Sequence, residues 1–187
     1  MKLDLGSGFA PYCPDDPTWE HLDLNPNAPH VEYVCDAFGP LPFADGEVEE
    51  LRAVDILEHG SYRDTKAILK EWARILKPGG TLFVQVPSAG TIMRWYAEND
   101  VRLTRWQHGA PCSPILGAMW RLLGGLNDGQ FVEGDGDPHL NVHLSLFDEY
   151  WLRNSLERAG LALGSIVGGG KIIENDHPNL QATATRV

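Results

Sequence analysis

The stretch Lys2 to Gly8, Lys-Leu-Asp-Leu-Gly-Ser-Gly, constrains this chain more than any other. It reads as a short buried strand running straight into a Gly-x-Gly turn. Gly6 and Gly8 can take backbone angles that other residues avoid, and they remove side chains that would keep a ligand off the backbone. In an open α/β sheet, small ligands bind at the carboxyl end of such a strand. Two more acids follow at expected strand ends: Asp23 in His-Leu-Asp-Leu-Asn and Asp36 in Val-Cys-Asp-Ala. A glycine loop and two strand-end carboxylates describe a nucleoside site.

The rest of the chain supplies the sheet that such a site needs. Glu20 to Leu24 reads as a second strand, Val31 to Cys35 as a third and Leu51 to Ile56 as a fourth, apolar apart from Arg52 and Asp55. Ser61-Tyr-Arg-Asp64 fits a capping box. The helix behind it carries Ile68, Leu69, Trp72, Ile75 and Leu76 at three- and four-residue spacing. Lys77-Pro-Gly-Gly80 stops that helix, and Thr81 to Val86 reads as a buried fifth strand. A second capping box, Ser145-Leu-Phe-Asp148, opens a helix that Gly160 ends. Leu161 to Val167 and Asn179 to Val187 close the pattern as two strands. Helices and strands alternate as in a doubly wound, mostly parallel sheet. A length of 187 residues suits one domain, residues 1–187, with a single sizeable core.

Composition narrows the partners. The formal net charge is −11, a field that repels phosphate, so bulk nucleic acid and anionic membrane are not expected. A local basic patch of Arg94, Arg102, Arg105 and Arg121 is the one feature that opposes this average. No stretch is long and apolar enough to span a membrane, and nothing at the N-terminus reads as a signal peptide. Cys13, Cys35 and Cys112 are odd in number and lack CxxC spacing, which fits free thiols in a reducing cytoplasm.

Several stretches carry a resemblance: LDLGSG (Leu3 to Gly8), HLDLNP (His21 to Pro26), DAFGPLPFADGEVEEL (Asp36 to Leu51), AVDILEH (Ala53 to His59), EWARILKPGGTLFVQVP (Glu71 to Pro87) and FDEYWLRNSLERAGL (Phe147 to Leu161). In this order and together they resemble a class I S-adenosylmethionine (SAM)-dependent methyltransferase of the compact type-11-like group. Gly-x-Gly alone is weak evidence; the combination with the RILKPGG and LPFADG…LEH blocks is specific. The resemblance implies a Rossmann-like sheet with an antiparallel last strand. It implies a SAM site built from Asp4, Gly6, Ser7 and Gly8 at the glycine loop, from Asp23 and Leu24 at the ribose, and from Asp36 and Ala37 at the adenine. Asp55 is the candidate contact to the methionine amino group. At Asp23, ribose binding competes with the turn-capping role common before Asn-Pro.

Three departures stand out. Pro11, Pro14 and Pro17 replace the helix that usually follows the glycine loop, leaving Phe9 and Tyr12 to cover the methionine end. Glu49 stands where the family more often has Asp. Residues 88–140 are unlike the family and are expected to form a substrate-covering insertion, its aromatics divided between acceptor pocket and plain core.

Methyl transfer needs alignment of donor and acceptor more than it needs a catalytic dyad. A general base is required only for a poor nucleophile. His59, just past a strand end, is the first candidate, although a histidine there also serves as a helix cap. His143 is the second. His139 and His143 near Asp135 and Asp137 sketch a metal site, but Pro138 and the glycines oppose a helix there, and no metal is expected. The sequence therefore reads as a methyltransferase acting on a small-molecule or carrier-linked acceptor. The rival is a methyltransferase fold that binds without catalysis. An oxidoreductase fingerprint fails at Pro11, where its third glycine belongs.

Overall fold

The computed structural model describes residues 1–8, 16–28, 30–104, 113–124, 142–168 and 178–187, without the side chains of residues 116 and 120. Among these residues, seven strands form one sheet in the order β3-β2-β1-β4-β5-β7-β6. The strands are β1 (Lys2–Leu5), β2 (Trp19–Asp23), β3 (Val31–Val34), β4 (Val48–Val54), β5 (Leu76–Pro87), β6 (Leu161–Gly168) and β7 (Asn179–Arg186). The first five run parallel to one another; β7 runs antiparallel to both β5 and β6. The chain builds outward from β1 to β3, then returns to place β4 on the other side of β1. That reversal opens a crevice at the carboxyl ends of β1 and β4, where the Gly6 turn and Asp55 both lie.

The middle of the sheet is apolar. Leu3, Leu5, Leu22, Leu51, Leu82 and Val84 are buried. The exceptions form a row. Asp4 aligns with Arg52 on one side and His21 on the other. Arg52 donates to both carboxylate oxygens of Asp4, at 3.0 and 2.9 Å, and its guanidinium lies 4.0 Å from the Trp19 ring centroid. His21 Nδ1 stands 3.5 Å from the same carboxylate. The arginine that interrupts an apolar strand is thus the partner of the acid in the glycine motif.

Among the described residues, four α-helices pack on this sheet or beside it: α1 (Thr65–Ile75), α2 (Ala89–Ala97), α3 (Pro114–Leu123) and α4 (Glu149–Arg158). Trp72 of α1 is fully buried and donates its indole N–H to the Ala37 carbonyl at 2.8 Å, tying the helix to the loop after β3. Within the expected insertion, α2, α3 and the turn Val101–Thr104 enclose a second, smaller core of Ile92, Trp95, Leu103 and Ala118. Trp95 is therefore packing, with Arg102 stacked on it at 3.8 Å. Arg102 also pairs with Asp100, and Arg121 donates to the Gly117 and Arg102 carbonyls, so two members of the expected basic patch are engaged locally. Arg105 lies outside the described residues, as do Phe9, Tyr12, Asp135, Asp137, His139, Cys13 and Cys112.

The fourth strand runs over Val48–Val54, starting earlier and ending sooner than Leu51 to Ile56, and local boundaries differ from the sequence reading in three further places. Lys77–Gly80 does not separate helix from strand. Leu76 already pairs with Val48, and the four residues bulge outward before Thr81 pairs with Glu50. Pro78 cannot donate to the ladder and Gly79 sits at φ +78°, so the bulge forms where the residues demand one. The Ser61–Asp64 box does not form: Asp64 is the N-cap and makes no side-chain cap bond, while Ser61 holds the turn through its carbonyl to the amides of Asp64 and Thr65. At α4 the cap is Asp148, whose Oδ1 accepts from Trp151 N at 2.7 Å. Ser145 is buried instead, donating to the Gly60 carbonyl at 2.6 Å.

Two stability outcomes follow. Asp148→Ala should cost about 1 kcal/mol in urea unfolding, the usual worth of an N-cap. Arg52→Ala should cost more, about 3–5 kcal/mol, because it strands a buried carboxylate. Arg52→Ala combined with Asp4→Leu should recover much of that loss in the same assay.

Candidate active site

The glycine turn is held by the strand beside it. The amides of Gly6 and Ser7 both donate to the Leu22 carbonyl, at 2.8 and 3.2 Å. Gly6 has φ +64°, and a Cβ there would sit 2.6 Å from Ile56 Cδ1. Gly8 also has a positive φ, +58°, but among the described residues a Cβ on it would meet nothing within 4 Å. Gly6 is glycine because the protein fills the space. Gly8 meets no described residue, so a ligand can reach its backbone from the described side.

Asp23 joins this turn to the next. Its Oδ2 accepts from Gly8 N and its Oδ1 from Asn25 N, both at 2.8 Å. The turn-capping role foreseen for Asp23 is present, and it shares the carboxylate with the glycine loop. Each oxygen keeps capacity for a further hydroxyl donor. Leu24 beside it is exposed. Ser7 is buried, and its Oγ has no hydrogen-bond partner among the described residues.

Asp4 departs from its expected placement at the ligand. Its carboxylate is 2% exposed and occupied by Arg52, so it braces the motif from within the sheet. Asp36 is exposed and accepts from Phe38 N at 2.9 Å; Ala37 is buried, with its carbonyl held by Trp72. These two shape the loop at the end of β3.

Asp55 sits at the end of β4 with φ +51°, uncommon for a residue with a side chain. Its amide donates to the Gln85 carbonyl, and the Gln85 amide nitrogen lies 3.2 Å from each of its carboxylate oxygens. Gln85 in turn accepts from Gln181 at 2.6 Å. Asp55 is exposed yet has protein mass packed around it. Those surroundings raise its pKa, and the Gln85 bond works in the opposite sense. Gln85 and Gln181 were not legible as site residues, because a glutamine in a buried strand carries no pattern of its own.

The two candidate bases come together from opposite ends of the chain. His59 and His143 stack edge to face with ring centroids 5.0 Å apart. His59 Nδ1 lies 3.3 Å from the Val142 carbonyl and His143 Nδ1 lies 3.2 Å from the Leu122 carbonyl. Beside them is Glu58, fully buried, whose backbone carbonyl accepts from the amides of Leu144 and Ser145. Burial raises the Glu58 pKa well above the usual carboxylate range, with Asp55 adding to it. Burial, helped by His59, lowers that of His143 to about 4. His143 is therefore neutral at pH 7 and a weak base there.

Comparison with known proteins agrees with this fold. Residues 16–84 match the family model described as "Methyltransferase domain". The whole chain superimposes on the SAM-dependent methyltransferase from Mesorhizobium loti with a TM-score of 0.63 at 16% identity, covering 100% of this chain and 90% of that one. The chain thus shares the fold of SAM-dependent methyltransferases and carries a match to their domain over residues 16–84. The 1,6-didemethyltoxoflavin-N1-methyltransferase of Burkholderia thailandensis, solved with S-adenosylhomocysteine, also shares the fold: TM-score 0.56 at 14% identity, covering 99% of this chain and 70% of that one. Among curated proteins, mouse "Probable tRNA methyltransferase 9B" is 29% identical over 126 residues, 62% of this chain. The chain spans only 28% of that relative's length.

The residues present fit S-adenosylmethionine, the cofactor named for the proteins that share this fold. The side of Gly8 that meets no described residue, the acceptor capacity of Asp23 and the unpartnered Ser7 hydroxyl suit a nucleoside carrying ribose hydroxyls. The two glycines separate fold from binding. Gly6→Ala should lower the melting temperature sharply, because the clash is with protein. Gly8→Ala should cost only about 1–2 kcal/mol of backbone strain. It should nevertheless weaken SAM binding at least tenfold by calorimetry, because its methyl group enters the ligand's space.

Proposed function

We propose that this protein is a methyltransferase that moves the methyl group of SAM to a small-molecule or carrier-linked acceptor. The observation that carries the reading is Asp23, set at the carboxyl end of β2 with its carboxylate directly on the glycine turn. Asp23 and the Gly6–Gly8 backbone bind the nucleoside. Ser7 and Asp55, the latter steadied by Gln85, lie on the path toward the methionine end. Bound SAM supplies a sulfonium whose methyl carbon is open to displacement. The protein's contribution is alignment, and no strong base is required of it for a good nucleophile.

Support for a small or carrier-linked acceptor comes from charge. A net charge of −11 opposes a polyanionic substrate, and Arg102 and Arg121 are held in local contacts. The region that follows β5 supplies the acceptor side in this reading. There Met93 and Tyr96 of α2 and Met119 of α3 leave apolar surface exposed near a scaffold fixed by Trp95. No helix among the described residues is long and apolar enough to cross a membrane.

Calorimetric titration with SAM and S-adenosylhomocysteine tests the binding half. Micromolar affinity is expected for the wild-type protein. Asp23→Asn keeps one acceptor oxygen for the turn and should fold, while losing at least tenfold in affinity. Wild-type affinity in that variant would sink the site. The acceptor half is tested by incubating cell extract with methyl-labelled SAM. Label should survive ribonuclease treatment and appear in the small-molecule or carrier fraction; ribonuclease-sensitive label would overturn the charge argument.

A further inference from the structure

We infer that Glu58, His59 and His143 form a binding site for a divalent first-row transition ion. One carboxylate oxygen of Glu58 and one ring nitrogen from each histidine lie within 4.8 Å of one another. Among the described residues this is the group of that kind the fold assembles. Two imidazoles and one carboxylate make a mixed nitrogen and oxygen donor set, the kind that holds Zn2+, Mn2+, Fe2+ or Co2+ and leaves other positions open.

Three independent features favour an ion over simple packing. Glu58 is 1% exposed, and neither of its carboxylate oxygens has a hydrogen-bond partner among the described residues. A buried carboxylate without a donor is costly, and a cation at that point removes the cost. Both rings are also anchored from behind. Their Nδ1 atoms face backbone carbonyls, Val142 O for His59 and Leu122 O for His143. An N–H directed at a carbonyl places the lone pair on the opposite ring nitrogen, which is how metal-binding histidines are oriented. For His143 that opposite nitrogen, Nε2, is the atom that faces Glu58 Oε1, at 4.0 Å.

The scaffold is hydrogen-bonded on both sides. Glu58 and His59 lie in the single turn Leu57–His59 after β4, and the segment bearing His143 is stitched to that turn by Leu144 N and Ser145 N on the Glu58 carbonyl. His143 N donates to the Leu123 carbonyl, and Ser145 Oγ to that of Gly60. Donors on a tetrahedral zinc sit about 3.4 Å apart, so closure onto an ion asks for movements of about an ångström. Asp55, three residues ahead of Glu58, is at the crevice. The ion would sit beside the end of the sheet that carries the nucleoside site, and an exchangeable position on it would take water or an oxygen of a ligand. The four-residue spacing of His139 and His143 only sketched such a site, and His139 lies outside the described residues. The structure pairs His143 with a turn more than eighty residues earlier.

The site is tested on untagged protein stripped with EDTA and dialysed free of chelator. Titration with Co2+ should give one equivalent bound per chain, with visible ligand-field bands that Zn2+ abolishes. Zn2+ should also raise the melting temperature of the stripped protein. Glu58→Gln preserves shape and His143→Ala removes a ring. Each should weaken Co2+ binding by more than the roughly 10–100-fold typical of losing an outer-shell partner, and each should lose the Zn2+-dependent thermal shift. Folded, stripped wild-type protein that gives no Co2+ bands would overturn the proposal, leaving Glu58 as a protonated packing partner of His143. Unchanged Co2+ affinity in either variant would overturn it equally. SAM titration of the same stripped sample reports the nucleoside site separately, so the two assignments stand or fall independently.

Discussion

The Asp4–Arg52 pair is the interaction on which the rest of this structure depends. It lies across β1 and β4, the two strands between which the direction of sheet growth reverses. A register slip of one residue would send Asp4 and Arg52 to opposite faces and strand both charges among Leu3, Leu5 and Leu51. The pair therefore specifies register at the place where register determines the site. Once β1 and β4 are aligned, the Gly6 turn and Asp55 emerge side by side at the carboxyl edge. Ile56 packs onto Gly6 closely enough to exclude a methyl group.

Around this seam, polar groups are arranged so that backbone and side chain brace each other. Leu22 O takes the amides of Gly6 and Ser7 while Asp23, one residue on, takes that of Gly8. The glycine loop is therefore shaped before any ligand arrives. Such preorganisation reduces the entropy that binding must overcome. On the other side of the crevice, Gln181 orders Gln85, which orders Asp55. The antiparallel strand β7 thus reaches the site through one chain of amides.

Much of the fold was legible because it rests on local signals. The 3.6-residue spacing of Ile68, Leu69, Trp72 and Ile75 marks α1, and short apolar runs between turn residues mark the strands. Helix caps were harder to read. A Ser followed by an acid three residues on fits two starting positions, and at α4 tertiary burial drew Ser145 to Gly60 while Asp148 took the cap. Asp4 was misplaced for a related reason. A carboxylate in a ligand motif looks like a ligand contact until its partner, forty-eight residues away, is known.

The sequence by itself determined the order of strands and helices, the glycine turn and the acids at strand ends, because each depends on residues within one or two turns of each other. Only the tertiary structure decided which of those acids is a brace and which faces the crevice. It alone brought Glu58, His59 and His143 together and recruited Gln85 and Gln181. These are contacts between residues thirty to a hundred positions apart. The chain writes no spacing rule for them; they follow from strand register and from the desolvation cost of leaving a polar group alone in the core.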